Sequence, residues 1–319
     1  MSHHGFDPER DRFGSATFAS EQEIASTGLF DDGPDTLFLG FCGNRRLIYS
    51  GQGGLLLTAG ARSGKLRDVL AYNVCQGIFD GTALILDMKG ELAAISQNQT
   101  GARKHNIYWN PRGLHRLKSD RINPVSYIHK DSHSLVSDVK VFARNMIGRT
   151  GAPGAVYFEN RARDYLEAII LTLVQIDDVL TLPRLYEVLN LIPGCGNEWL
   201  DFAFEMAESG IELCRSVEEE IAAASKSESG GFRGIVGELL SAFSALSDPV
   251  LMASVSPPYT FSLDKLCNSG TRYHLYMMPP AEFIGAWAPI IKAILVGAQI
   301  YKARQPSAPM QTWFLDECA

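Results

Sequence analysis

The chain has 319 residues, of which 46% are hydrophobic, so it can bury a substantial core and is expected to form two lobes. Its net charge of -7 argues against a protein that wraps nucleic acid over its whole surface, although a local basic patch is compatible with it. The six cysteines are scattered without paired spacing or a histidine cluster, which favours reduced thiols over a disulfide framework or a zinc site.

The first 35 residues are polar and rich in turn formers, which predicts a surface lead-in. Residues 1–10 lack the apolar core of a secretory signal. No stretch approaches the ~20 apolar residues of a membrane-spanning helix. The best candidate, residues 285–301, contains Pro289 and Lys292 and suits an amphipathic helix. We therefore expect a chain that begins in the cytosol and has no transmembrane segment.

A hairpin and a phosphate loop are predicted next. Residues 36–40 and 46–49 alternate as two short strands, and Leu55–Thr58 reads as an apolar strand that runs into a small-residue loop ending in Gly-Lys. Such a loop can turn backbone N–H groups toward an anion, with a lysine and a following helix, here residues 66–79, adding positive charge. The predicted nucleotide-binding residues are Ala59, Gly60, Ala61, Arg62, Ser63, Gly64, Lys65 and Leu66. Ala59 replaces the usual first glycine, and Leu66 replaces the hydroxyl residue that would bind magnesium.

A second apolar strand, residues 83–86, breaks into a charged turn that contains Asp87, Lys89 and Glu91. Strand, loop, helix and strand in this order form a βαβ unit. A short helix over 91–97 and a strand over 106–109 follow, and two Asn-Pro pairs mark turns. A basic run lies nearby, whose members are either a solvated face or a contact to nucleic acid: Arg103, Lys104, Arg112, Arg116, Lys118 and Arg121.

From residue 131 to about 253 the pattern becomes helical, with apolar stripes of 3.6-residue period. Helices are predicted over 161–176, 182–191, 198–208 and 232–247. The α/β pattern then returns as a strand over 271–278, a helix over 289–303 and a last strand over 312–315. This arrangement predicts an α/β fold that carries an inserted all-helical block.

The last strand delivers two adjacent carboxylates, Asp316 and Glu317. A P-loop ATPase needs such a pair, because the Asp steadies the metal and the Glu polarises the attacking water. Taken alone, each motif also occurs by chance. Three motifs in the order that such ATPases use, each at the end of an apolar strand where α/β proteins bind ligands, favour nucleotide binding.

Together these residues resemble a family, the type IV secretion system coupling proteins, which are TraG-type conjugative DNA transfer P-loop ATPases. The resemblance spans nearly the whole chain and rests on Phe13-Gly-Ser-Ala16, Arg62-Ser-Gly-Lys65, Asp87-Met-Lys-Gly-Glu91, Asn123-Pro124, Tyr276-Met-Met-Pro279 and Phe314-Leu-Asp-Glu317. It implies a RecA-like core with a mainly parallel sheet and an inserted all-helical domain. The implied domains are a lead-in over 1–35, a nucleotide-binding domain over 36–125 and 256–319, and the helical domain over 126–255. The family continues beyond the Asp-Glu strand, so we expect a C-terminally truncated member.

The resemblance also implies cofactors, roles and partners. ATP and Mg²⁺ are the expected cofactors, with Lys65 and the loop at the phosphates, Asp316 at the magnesium shell and Glu317 at the hydrolytic water. Asp87, Lys89 and Glu91 would lie near the nucleotide or near the adjacent subunit. The expected partners are DNA or a relaxosome or effector protein, secretion channel subunits, and further copies in a hexamer at the inner face of the bacterial inner membrane.

Two alternatives to this ATPase stay open. Leu66, Ala59 and the early C-terminus favour an adaptor that recruits substrates without hydrolysing ATP. A small-molecule kinase is less favoured, because the long insertion is mostly helical and lacks an evident arginine cluster close to the phosphate loop.

Overall fold

The computed structural model describes residues 18–33, 36–60, 62–75, 81–99, 104–152, 154–225 and 230–316. The chain divides into two compact units, residues 1–80 and 81–319. The predicted phosphate loop belongs to the first unit, and both predicted carboxylate strands belong to the second.

The first unit contains a β-hairpin and a helix that is fixed to it. Its elements are α1 (Glu21–Ser26), β1 (Leu37–Cys42), β2 (Arg45–Tyr49), a π-helical turn (Lys65–Leu70) and α2 (Ala71–Cys75), which continues the π-helical turn. β1 and β2 pair antiparallel, so the predicted hairpin is confirmed. The buried Asn73 side chain joins α2 to β1, because it donates to the carbonyl oxygen of Phe38 at 2.9 Å and accepts from the Phe38 N–H at 2.8 Å. The Phe38 ring also stacks on Tyr72, with ring centroids 4.6 Å apart.

The second unit is built on a four-stranded parallel sheet. Its strands are β3 (Thr82–Leu86), β4 (Lys104–Trp109), β5 (Arg272–Met277) and β6 (Gln311–Leu315), in the order β4-β5-β3-β6. All five residues of β3 are buried, as its uninterrupted apolar sequence predicts for a strand covered on both faces. Because the strands are parallel, their carboxyl ends share one edge of the sheet, where α/β proteins bind ligands.

Helices fill most of the chain between β3 and β6. They are α3 (Glu91–Ser96), α4 (Leu135–Met146), α5 (Ala155–Asp177), α6 (Leu182–Leu191), α7 (Asn197–Glu208), α8 (Glu212–Ser225), α9 (Gly230–Ala242), α10 (Pro249–Ser254) and α11 (Ile284–Arg304). The central helix of the insertion is α5, since every residue from Tyr165 to Val174 is buried. A helix that is buried all round packs against neighbours on several sides. Here those neighbours are α4, α6, α7, α8 and α9.

The turn at Asn123–Pro124 joins the insertion to α11. The Asn123 side chain donates to the carbonyl oxygen of Leu180 at 2.9 Å, which fixes the turn to the loop between α5 and α6. On the other side α11 approaches so closely that a Cβ at Gly297 would lie 2.5 Å from the Pro124 carbonyl oxygen. The Asn-Pro pair therefore acts through turn structure, as the sequence predicts.

Within the described residues, the segment Ala281–Arg304 is long and apolar enough to cross a membrane, with a mean hydropathy of 1.7 over its most apolar window. Trp287, Ile290 and Ile294 are buried inside the unit, and 39% of that window is buried in all. The helix α11 begins at Ile284, five residues before the predicted start at Pro289. Pro289 lies inside α11 and has no backbone N–H, so the helix forms one hydrogen bond fewer near its start.

The predicted α/β fold with a mainly parallel sheet and an all-helical insertion is confirmed. One predicted strand is wrong, because residues 54–60 have no regular secondary structure. The exposed fractions of Leu55, Leu56 and Leu57 are 50%, 90% and 48%. An apolar segment forms a stable strand when its side chains pack against those of neighbouring strands, and these leucines have no such packing. The predicted helix over 66–79 is present from Lys65 to Cys75, and residues 76–80 lie outside the described chain. The domain boundaries at 125 and 255 stay a prediction.

Candidate nucleotide-binding elements

The predicted phosphate loop is a turn that leads directly into a helix. Arg62 and Gly64 have φ of 61° and 92°, and the π-helical turn begins at the next residue, Lys65. Left-handed residues in such a turn bring backbone N–H groups to one side and form an anion-binding concavity. The first N–H groups of the helix lack partners within the helix and form its positive end. Arg62 and Gly64 therefore have backbone conformations that also occur in anion-binding turns, and phosphate binding by this loop stays a prediction.

The side chain of Lys65 lies across this loop. Its Nζ donates to the carbonyl oxygen of Ala59 at 2.9 Å, and the N–H of Ser63 donates to the Gly60 carbonyl at 3.3 Å. A phosphate oxygen can replace the carbonyl as acceptor and forms the stronger, charge-assisted bond. Leu66 is half-buried and offers no oxygen, so it cannot bind a metal ion directly.

Two predicted carboxylates, Asp87 and Asp316, directly follow neighbouring strands β3 and β6 at the carboxyl edge of the sheet. Asp87 is buried, and its Oδ2 accepts the N–H of Ala93 at 2.8 Å. The pKa of Asp87 is raised, mainly because its carboxyl group is buried and to a smaller extent because Asp316 is negatively charged. Hydrogen bonds from the backbone N–H groups of Gly90, Glu91 and Ala93 partly offset this rise. Asp87 thus caps α3, while Asp316 is half-buried and keeps part of its surface open.

Magnesium prefers oxygen ligands and usually keeps several waters beside one or two carboxylates and substrate phosphates. The pair Asp87 and Asp316 fits that preference. Within the described residues, no group of three or more His, Cys, Asp or Glu side chains could hold a metal ion. A magnesium ion at this edge would therefore depend on phosphate and water for most of its ligands.

The turn after Asp87 is held by a contact that the sequence does not predict. The Nε2 of His115 lies 2.8 Å from the carbonyl oxygen of Lys89. Gly90 has φ of 68°, and a Cβ there would lie 2.7 Å from Met278 Cε and 2.8 Å from His115 Cδ2. The left-handed conformation of Gly90 therefore favours glycine in the Asp-x-Lys-Gly-Glu motif, and a larger residue would also displace the side chains of Met278 and His115.

The other predicted residues of this motif face outward. Glu91 is exposed in the first turn of α3, where a carboxylate stabilises the helix dipole, and Lys89 is exposed in the preceding turn. The proposed roles of Asp87, Lys89 and Glu91 near a nucleotide stay predictions. Ala61 and Glu317 lie outside the described residues.

The predicted basic run does not form one surface. Lys104 is buried at the amino end of β4, whereas Arg112 and the later members follow the carboxyl end of that strand. Lys118 forms an ion pair with the buried Asp120 at 3.2 Å. A strand of six residues separates the two groups by roughly 20 Å.

Arg116 best fits the predicted contact to nucleic acid. It is exposed, has φ of 58°, and takes part in no ion pair within the described part of the chain. Arg121 donates to the carbonyl oxygen of Pro257 at 3.3 Å, and Arg103 lies outside the described residues. The contact to nucleic acid stays a prediction.

Arg112 joins the loop after β4 to two helices. Its Nη2 lies 2.9 Å from Asp248 Oδ2 just before α10. Its guanidinium carbon lies 4.8 Å and 5.8 Å from the ring centroids of Phe283 and Trp287, at the start of α11. These contacts give Arg112 a structural role.

Comparison with known proteins identifies the family. The family model described as "Type IV secretory system Conjugative DNA transfer" matches residues 10–318, nearly the whole chain. The chain belongs to this family. The resemblance carried by the motifs is therefore confirmed, and no curated protein matches the chain significantly.

Solved structures of the bacterial conjugative coupling protein TrwB resemble this family member. An unbound monoclinic form is 16% identical, with a TM-score of 0.51, over 80% of this chain and 52% of that chain. The complex with ADP and Mg²⁺ is 16% identical, with a TM-score of 0.49, over 79% and 52%. The complex with the ATP analogue ADPNP is 16% identical, with a TM-score of 0.49, over 80% and 54%. The first match shows a shared fold, and the chain spans about half the length of these TrwB chains.

Proposed function

We propose that the chain is part of a coupling ATPase of a type IV secretion or conjugation system, which binds ATP with Mg²⁺ and engages DNA or protein substrates for transfer. The observation that carries the proposal is the turn over 62–65, where the left-handed residues Arg62 and Gly64 lead directly into a helical turn that begins at Lys65. The family match over residues 10–318 supports the same activity. TrwB structures that contain GDPNP, ADP with Mg²⁺, and ADPNP support the choice of cofactors.

Each predicted residue has a distinct task in this proposal. The loop amides and Lys65 bind the β- and γ-phosphates, as the charge of a triphosphate requires. Asp316 would hold the magnesium shell through its carboxylate oxygens, and Glu317 would orient the water that attacks the γ-phosphorus. When bound, magnesium neutralises charge that develops on the phosphate oxygens.

Lys65→Ala tests nucleotide binding. We expect the affinity for a fluorescent ATP analogue, measured by titration, to fall at least about 10-fold, because a charge-assisted bond to phosphate is lost. The matched control is Arg67→Ala, since Arg67 is an exposed cation on the same helical turn and forms its ion pair with Asp68. Equal affinities for the parent and the Lys65→Ala variant would refute the binding site.

Turnover distinguishes the ATPase from the adaptor alternative. Glu317→Gln should retain nucleotide and stop magnesium-dependent phosphate release, because the amide is a poorer base for the attacking water. Asp316→Asn should weaken the magnesium dependence of binding. A parent chain that binds ATP analogues and releases no phosphate with magnesium would select the adaptor, which Leu66 favours through its missing hydroxyl.

The partners and the cellular location extend the same proposal. The family match supports a place in conjugative DNA transfer machinery, with a relaxosome or effector protein and channel subunits as partners. Assembly as a hexamer and a position at the inner face of the bacterial inner membrane would follow from that role. Native mass spectrometry of the purified chain with and without ATP tests the assembly.

A further inference from the structure

The helical insertion contains a groove between α5, α6 and α7, which we call the acidic groove. Its volume is about 680 Å³. Apolar side chains of Val188, Leu191 and Phe202 contribute to its lining. Its acidic residues are Glu187, Glu198, Asp201, Glu205 and Glu208.

The charge of the acidic groove is strongly one-sided. The basic residue in its lining is Arg184, whose guanidinium lies 2.8 Å from Glu187 and 3.6 Å from Asp177, so its charge is already matched. The four acids of α7 take part in no ion pair within the described part of the chain. The acidic groove therefore presents a negative field to any partner.

The spacing of the four acids of α7 destabilises this helix when no partner is bound. Glu198, Asp201, Glu205 and Glu208 are spaced three, four and three residues apart, so they lie along one face of α7 and repel one another. Glu208 ends the helix, whose last turn contains no basic residue, so its charge opposes the helix dipole. A cationic partner would reduce both the repulsion among these acids and the unfavourable interaction of Glu208 with the helix dipole.

Exposed apolar side chains lie on another face of α7 and in the lining of the acidic groove. Leu200 and Phe204, one turn apart on the adjoining face of α7, have exposed fractions of 58% and 64%. Ile176 in the groove lining is 43% exposed. Large apolar side chains beside a charged rim are typical of a surface that contacts another protein.

We infer that the acidic groove binds a cationic amphipathic helix of a partner protein. A groove between helices receives the apolar face of such a helix, and its Lys or Arg residues would meet the acids of α7. Ile176 and Leu191 of the groove lining would contact its apolar residues. Nucleic acid carries the same charge sign as the groove and is excluded as the occupant. This inference goes beyond the proposed function, because it uses neither the phosphate loop nor the strand-end carboxylates.

The test uses the full chain and a labelled helical peptide of about 18 residues, made of Lys and Leu at helical spacing. Fluorescence anisotropy gives its affinity at low salt. The triple variant Glu198→Gln, Asp201→Asn, Glu205→Gln should weaken binding at least about 10-fold. The matched control Asp131→Asn, Glu219→Gln, Glu282→Gln changes the net charge equally at exposed acids outside the groove and should change affinity less than about 2-fold.

A second pair of variants tests the apolar contact. Ile176→Ser should weaken peptide binding, whereas Val136→Ser, which removes an exposed apolar side chain of α4 outside the groove, should not. Circular dichroism shows that each variant is folded, and titration with the ATP analogue shows whether nucleotide binding persists. Loss of peptide binding with unchanged nucleotide binding separates this inference from the proposed function.

Three results would overturn the inference. One is an equal loss of affinity in the groove variant and its charge-matched control, which would indicate general attraction to an acidic protein. Another is equal binding of a peptide in which Glu replaces each Lys. The third is no binding of the Lys-Leu peptide to the parent chain at low salt.

Discussion

His274 makes the stability of the second unit depend on pH. It lies on β5 between Ala83 of β3 and Asn106 of β4, and none of its surface is exposed. The pKa of His274 is lowered to about 3, first because the imidazole is buried and second because Lys104 is positively charged, while a hydrogen bond with the Gly81 backbone acts in the opposite direction. The folded protein therefore keeps this imidazole neutral under mildly acidic conditions.

The sign and size of the effect follow from proton linkage. Below its ordinary pKa near 6.5 the unfolded chain binds a proton at His274, whereas the folded chain binds it only near pH 3. The contribution of His274 to the free energy of unfolding is therefore fully present above pH 6.5 and is lost progressively as the pH falls from 6.5 to 3. The contribution is about 1.4 kcal/mol per pH unit, or about 2 kcal/mol between pH 7 and pH 5.

Urea unfolding at several pH values measures this contribution. All four tryptophans lie in residues 81–319, so tryptophan fluorescence reports on the second unit. His274→Gln removes the titrating group, so the difference in unfolding free energy between the parent and the variant should shrink by about 2 kcal/mol from pH 7 to pH 5. His105→Gln, at an exposed position on β4, is the matched control.

A parent and a His274→Gln variant with parallel pH profiles would refute the reasoning. The same conclusion would follow if His105→Gln changed the profile as much as His274→Gln. A variant that is less stable than the parent at every pH would not refute the reasoning. Only the change of the unfolding free energy with pH reports proton binding at His274.

Two further predictions concern α11 and the basic run. Gly297→Ala should lower the free energy of unfolding by about 1–3 kcal/mol, measured by urea unfolding, because its Cβ would lie 2.5 Å from the Pro124 carbonyl oxygen. Gly285→Ala on the same helix meets no atom within 4 Å and should be neutral or stabilising, and a similar loss in both would refute the steric argument. Arg116→Gln should reduce the salt-dependence slope of DNA binding by about 1, whereas the ion-paired Arg112→Gln should leave the slope unchanged. An unaltered slope for Arg116→Gln would remove that residue from the contact surface.

The features that local sequence encodes were predictable. The strands that end at Leu86 and Leu315 are apolar runs stopped by acidic turns, so both their positions and the two carboxylates that follow them are readable. The long apolar stripe of α5 likewise predicts a buried helix. The candidate phosphate loop is predictable because its small residues and its lysine are adjacent in sequence, and its role stays a prediction.

The features that depend on distant contacts were not predictable. The leucines at 55–57 have the composition of a strand but no strand pairing, which propensity alone does not reveal. The contact of His115 with Lys89 joins residues 26 positions apart. The basic run looks continuous in sequence, yet β4 carries Lys104 away from the arginines that follow.

The contact between Lys89 and His115 has a consequence for the edge of the sheet. The Lys89 carbonyl oxygen in the turn after β3 lies within hydrogen-bond distance of His115, the loop of His115 contains Arg112, and Arg112 contacts Asp248 and the Phe283 ring at the start of α11. A continuous series of contacts therefore connects the turn that follows Asp87 to the segment before α10 and to α11.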